Sequence, residues 1–125
     1  MELKKIEGAT PALGPYSAGV AFGDLVFVSG QIPTDANGDL PEGVRAQARQ
    51  SILNVKAVLE AAGSDLQHVV KTTVFLRNMD DFAAVNEVYA EYFNGEVKPA
   101  RSCVQAAKLP KDMPLEIEAI GVRVR

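Results

Sequence analysis

The sequence predicts an α+β fold: a mixed sheet of five or six strands with two helices on one face. Three observations carry this expectation. First, two alternating apolar segments, 18–22 and 25–30, flank Gly23-Asp24, the pattern of a tight hairpin. Second, apolar residues at three- and four-residue steps mark helices over 44–62 and 80–93, on either side of a β-branched run at 68–76. Third, the last strand is apolar on both sides, so two helices on one face leave the other face for a second chain to cover.

In chain order, residues 3–7 read as a short edge strand, and residues 8–15, with two Gly and two Pro, as a loop. Tyr16 and Ser17 close that loop. Tyr16 either contacts a ligand or packs its ring and hydrogen-bonds its hydroxyl locally. In the hairpin, Val20 and Phe22 alternate, and Leu25-Val26-Phe27-Val28 runs into Ser29-Gly30-Gln31-Ile32-Pro33. Gly30 allows close backbone approach, and Pro33 ends ladder pairing. Ser29-Gly30 is either a plain strand end or a source of hydroxyl and N–H donors.

Residues 34–43 are rich in turn formers. The first helix carries Val44, Ala48, Ile52, Val55, Leu59 and Ala62 on one stripe, and Gly63 stops it. The strand at 68–76 has no strongly polar face, and His68 at its start reads as a surface or capping residue. Asn78 is the expected N-cap of the second helix. Phe82, Asn86, Tyr89 and Phe93 share one face of that helix, with Asn86 interrupting an aromatic stripe. The final strands are expected at 101–105 and 115–124. In the last, Glu116, Glu118, Ile120, Val122 and Val124 lie on one face and Leu115, Ile117, Ala119 and Gly121 on the other.

The totals narrow the function. At 125 residues the chain is expected to form one domain over 1–125 with a real core. A net charge of −3 without a basic run argues against nucleic-acid binding. No apolar run approaches the roughly 18 residues needed to span a bilayer. Residues 1–5 are not followed by the apolar segment of a secretory signal. One Cys excludes an internal disulfide, and no zinc-type cluster is present. His68 is the only histidine, so Ser-His-Asp or Cys-His catalysis would need it to fold beside Cys103. A cytoplasmic domain without metal or cofactor is the default expectation.

Chemistry concentrates in two stretches, Pro99-Ala100-Arg101-Ser102-Cys103-Val104 and Leu115-Glu116-Ile117-Glu118. Strand alternation puts Arg101 and Cys103 on one face, and Glu116 and Glu118 on one face. If the two strands are close, a guanidinium faces carboxylates beside a thiol. That arrangement is either a site or a buried ion-pair network.

These stretches, with Gly14-Pro15-Tyr16-Ser17, Val28-Ser29-Gly30-Gln31-Ile32 and Gln47-Ala48-Arg49-Gln50-Ser51 followed by Asn54-Val55, resemble the RidA (YjgF-type) family of enamine and imine deaminases over nearly the whole length. The resemblance implies a chorismate-mutase-like homotrimer with a central barrel, helices outside, and sites between subunits. It implies hydrolysis of 2-aminoacrylate/2-iminopropionate and 2-aminocrotonate/2-iminobutanoate to 2-oxoacids and ammonia. Such substrates are released by pyridoxal-phosphate-dependent serine and threonine dehydratases.

The resemblance assigns Arg101 to the substrate carboxylate, since a planar fork matches it as Lys cannot. Glu116 would orient the attacking water or move its proton. Ser29, Gly30 and the Cys103 backbone N–H would hold the reacting end, and Tyr16 would line the pocket from the neighbouring subunit. Glu118 would be supporting structure, and Cys103 no nucleophile. Competing readings are a non-catalytic 2-oxoacid-binding regulator, a chaperone-like trimer, and a ribonuclease; the acidic balance and missing histidine pair oppose the last.

Overall fold

The computed structural model describes residues 2–124. Among them, six strands form one mixed sheet: β1 (Lys4–Ile6), β2 (Gly19–Phe22), β3 (Leu25–Gln31), β4 (Val69–Leu76), β5 (Ala100–Gln105) and β6 (Leu115–Val122). Two helices, α1 (Val44–Ala61) and α2 (Phe82–Tyr92), pack against one face. The sheet order is β1-β2-β3-β6-β4-β5, so the last strand to emerge is inserted in the middle. Only β4 and β5 pair in parallel, and α2 forms the long crossover that parallel pairing requires.

The α+β architecture agrees with the sequence expectation, and the differences are at element ends. The second helix begins as a 3₁₀ turn over Met79–Asp81, because the Asn78 side chain accepts from the Asp80 N–H. His68 closes a 3₁₀ turn ahead of β4, its ring Nδ1 2.7 Å from an Asp65 carboxylate oxygen. It is a surface residue and is not near Cys103, which pairs with Val74 farther along β4.

At the end of α1, Gly63 has φ +84°, and the N–H groups of Gly63 and Ser64 donate back to the carbonyls of Glu60 and Leu59. This left-handed stop needs a residue without Cβ. Ser64 then donates its hydroxyl to the Val122 carbonyl, tying the helix end to β6.

The core lies between the sheet and the helices. Ile52, Val55, Val58 and Leu59 of α1 meet Val26, Val74, Leu76, Leu115 and Ile117 of the sheet, all essentially free of solvent contact. Each such side chain contributes roughly 1.5–3 kcal/mol of transfer free energy. The opposite face is different: Phe22, Leu25 and Phe27 remain about two-fifths exposed, at 41%, 41% and 42%. Register places Leu25 beside Val122 and Phe27 beside Ile120 on that face, making a contiguous apolar surface that neither helix touches.

Asn54 has a special position on α1. Its Nδ2 donates to the carbonyls of Ile32 (3.0 Å) and Thr34 (2.8 Å), and its Oδ1 accepts from Gln50. It pins the chain leaving β3 to the helix. Asn54→Leu is expected to leave one buried and one partly buried carbonyl without this donor and cost about 1–3 kcal/mol in urea denaturation, with faster amide exchange over residues 32–38.

Candidate active site

The backbone makes room for the Glu116 side chain. Across from it, β3 carries a bulge: Val28 pairs with Ala119 and Gln31 with Ile117, so Ser29 and Gly30 together oppose one residue of β6. A Cβ at position 30 would overlap the Glu116 carboxylate, which explains why glycine occupies it. The bulge also anchors the loop at 14–17. The Ser29 hydroxyl donates to the Ser17 carbonyl (2.6 Å) and the Ser29 N–H to the Ala18 carbonyl (2.9 Å). Tyr16 thus stands over the sheet; its hydroxyl accepts from the Leu13 N–H (3.0 Å), while about half of the residue, 47%, stays exposed.

Two adjoining cavities meet at Glu116. One, about 280 Å³, runs between the loops at 10–16 and 34–38, with Gly30, Ile32 and Glu116 on its walls. The other, about 290 Å³, is lined by Tyr16, Ser29, Gly30, Pro110, Glu116 and Glu118. Lys111 lies on the rim of the first. Lys111 and the following Asp112 both have φ +54°, a left-handed conformation costing of order 1–3 kcal/mol each for such residues. Arg77 offsets this by donating from Nη1 to the Asp112 carbonyl (2.7 Å) and from its backbone N–H to Pro114.

Burial raises the Glu116 carboxyl above the usual carboxylate range, and the neighbouring Glu118 charge raises it further. Glu116 therefore holds a proton more readily than a surface glutamate, which suits a group that accepts and returns one.

Arg101 is elsewhere. In β5 it is level with Thr72 of β4, which is level with Ala119 of β6, so its side chain is on the helix-covered face. Glu116 is level with Phe75, on the other face. The sequence made closeness of the two strands the condition for a guanidinium to face these carboxylates, and within one chain that condition is not met: β4 intervenes, and the two pairs occupy opposite faces. Among the described residues Arg101 forms no ion pair.

Arg101 is held by α2. Its Cζ lies 4.8 Å from the Tyr89 ring centroid and 5.6 Å from that of Phe82, and Nη1 donates to Asn86 Oδ1 at 2.7 Å. Tyr89 is fixed in turn by Thr72 (2.7 Å between hydroxyl oxygens) and by stacking on Phe93, with centroids 4.3 Å apart. Burial raises the Cys103 thiol and outweighs the opposing pull of the Arg101 charge, so at neutral pH the sulfur is a thiol and not a thiolate.

Tyr16, Ser29, Gly30 and Glu116 are thus gathered at one cavity, and Arg101 and Cys103 form a second cluster. Asn86 joins the second cluster, and its interruption of an aromatic stripe is the signal the sequence carries for it. Among the described residues, no group of three or more His, Cys, Asp or Glu is arranged to hold a metal ion, and no helix is long and apolar enough to cross a membrane.

Replacing Glu118 with Gln removes the like charge beside Glu116. The Glu116 titration midpoint is expected to move to lower pH, read from its side-chain carboxyl carbon by NMR. An unmoved or higher midpoint would contradict the coupling.

A family model described as endoribonuclease L-PSP matches residues 7–123. The 2-iminobutanoate/2-iminopropanoate deaminase of Escherichia coli K12 is 52% identical over 120 residues, covering 94% of each chain. The enzyme of the same name from Salmonella typhimurium is 53% identical with the same coverage. A crystal structure of E. coli TdcF with bound serine superposes with a TM-score of 0.91 at 49% identity, covering 97% of this chain and 99% of that one. With the family model spanning nearly the whole chain and relatives at half identity along it, the chain belongs to the endoribonuclease L-PSP family, the RidA (YjgF) family that its motifs resemble.

Proposed function

We infer that this protein is a hydrolytic deaminase that converts 2-imino acids and their enamine tautomers, with 2-iminobutanoate and 2-iminopropanoate foremost, to 2-oxoacids and ammonia. The named activity of relatives at 52% and 53% identity supports the reaction class. The observation that carries the chemistry is a pair of groups of opposite charge type, neither in an ion pair among the described residues. One is a carboxyl raised by burial beside a cavity; the other is a guanidinium with no carboxylate partner among the described residues.

In this proposal Arg101 binds the substrate carboxylate through two parallel N–H bonds. Glu116 takes a proton from water as its oxygen adds to the imine carbon, giving a carbinolamine. Glu116 then returns the proton to the nitrogen, takes the hydroxyl proton and passes it to the same nitrogen as the C–N bond breaks, and ammonia leaves as the carbonyl forms. One water is consumed, and the carboxyl ends as it began. A positioned acid/base of this kind contributes about 10²–10⁴-fold. Ser29 and Gly30 shape the reacting end, the Cys103 backbone N–H supplies a donor, and Tyr16 covers the cavity. The substrates are those that pyridoxal-phosphate-dependent serine and threonine dehydratases release.

Because Arg101 and Glu116 occupy opposite faces of one sheet, a site using both draws them from two chains. The apolar surface around Phe22, Leu25 and Phe27 supports self-association, and we propose a homotrimer whose sheets enclose a barrel. The ribonuclease in the family description has less support here: the chain has one histidine and a net charge of −3.

Arg101→Ala and Glu116→Gln are each expected to lower ammonia release from freshly generated 2-aminoacrylate by about 100-fold or more with the oligomer intact. Near-normal turnover in Arg101→Ala would sink the carboxylate clamp. Loss in Glu118→Gln with retention in Glu116→Gln would reassign the carboxylate. Refolding an equal mixture of Arg101→Ala and Glu116→Gln chains tests the shared site. Sites built from two chains should recover about a quarter of wild-type activity, whereas sites within one chain recover none. Phe27→Glu on the open face should yield a folded monomer by analytical ultracentrifugation, with turnover lost.

A further inference from the structure

We propose that Asn86 is a positioning residue: it fixes the in-plane orientation of the Arg101 guanidinium while leaving its charge unneutralised, and so tunes the clamp for a carboxylate. The inference rests on the reading that Arg101 binds the substrate carboxylate, and it adds what makes Arg101 able to do so.

The cradle is built from one face of α2. Phe82, Asn86 and Tyr89 are spaced four and three residues apart, so they project side by side toward β5. The two rings restrict the plane of the guanidinium. A ring face attracts a cation without preferring one rotation within that plane. Stacking alone therefore leaves the fork free to turn. The hydrogen bond from Nη1 to Asn86 Oδ1, at 2.7 Å, removes that freedom. Arginine has five N–H donors, and among the described residues only this one bond is made by them. One corner of the fork is thus anchored, and the rest is presented with a fixed direction.

The residue type matters as much as the bond. An Asp at position 86 would have nearly the same shape and the same acceptor. It would also form an ion pair with Arg101 and compete with an incoming carboxylate for the same cation. Asn supplies an acceptor and no charge. Tyr89 is consistent with this: its hydroxyl is bonded to Thr72 and its ring stacks on Phe93, so the wall under the guanidinium is itself braced. An apolar residue at position 86 would have completed the aromatic stripe and packed better. The polar interruption is accounted for by Arg101.

The test compares wild type with Arg101→Ala, Asn86→Ala, Asn86→Asp and the double variant Asn86→Asp/Arg101→Ala. KM and kcat are measured on 2-iminobutanoate, and binding of 2-oxobutanoate is measured by calorimetry. Asn86→Asp is expected to raise both KM and the 2-oxobutanoate Kd about tenfold or more, in the same direction as Arg101→Ala, with kcat changed less. Asn86→Ala, which frees the fork but keeps the charge, should raise both by a smaller factor. In the Arg101→Ala background, Asn86→Asp should add nothing, because its effect passes through the guanidinium. Wild-type affinity in both Asn86 variants beside a weakened Arg101→Ala overturns the inference and leaves the clamp standing. Fully additive losses in the double variant also overturn it, since they indicate a packing role. Unchanged affinity in Arg101→Ala removes the clamp and this inference together.

Discussion

The alternation of side chains along β6 constrains everything else in the molecule. This strand is the middle of the sheet and bonds to β3 on one side and β4 on the other. Its helix-facing residues Leu115, Ile117, Ala119 and Gly121 are buried. A period of two then leaves Glu116, Glu118, Ile120 and Val122 no choice but the other face. The strand cannot slip by one residue without exposing the core and burying both carboxylates under the helices. Register in the core and placement of the acidic pair are one decision.

From this follows the division of the chemistry. β5, at the sheet edge beside β4, sends Arg101 and Cys103 toward α2, where aromatic rings and Asn86 hold the guanidinium. β3, on the other flank of β6, bulges at Ser29 and Gly30 so that the Glu116 carboxylate fits against backbone. The half-buried carboxyl is raised by desolvation and by Glu118, which is a local cost to stability at neutral pH. The paired left-handed residues Lys111 and Asp112 at the cavity rim are a second local cost, offset by Arg77. Both costs lie around Glu116, where the proposed chemistry needs them.

Much of this was legible in the sequence, element by element. The Gly23-Asp24 hairpin, the α1 stripe ending at Gly63, and the two-sided apolar strand all follow from short-range periodicity and turn chemistry, which survive folding because they are local. The small boundary errors, such as the 3₁₀ turn ahead of α2, come from side-chain caps that compete with helix geometry within one turn. Gly30 was recognisable as a point of close approach, but not what approaches it. The partner is 86 residues away along the chain, and only strand pairing brings it there. Asn86 was visible as an anomaly in an aromatic stripe, yet its acceptor role depended on which strand edge faced α2.

The sequence by itself determined the α+β class, the elements, and which residues share a face within each strand, because side-chain direction within an element is a matter of local backbone geometry. It also carried the family motifs. The tertiary structure alone decided how those faces are related between strands. Arg101 and Glu116 each sit on an alternating strand, and nothing local says whether the two alternations are in or out of phase. That phase is set by the pairing of β4 with both β5 and β6, in which Thr72 aligns with Arg101 and Ala119 while Phe75 aligns with Glu116. Non-local hydrogen bonding therefore put the guanidinium and the carboxylate on opposite sides of the sheet.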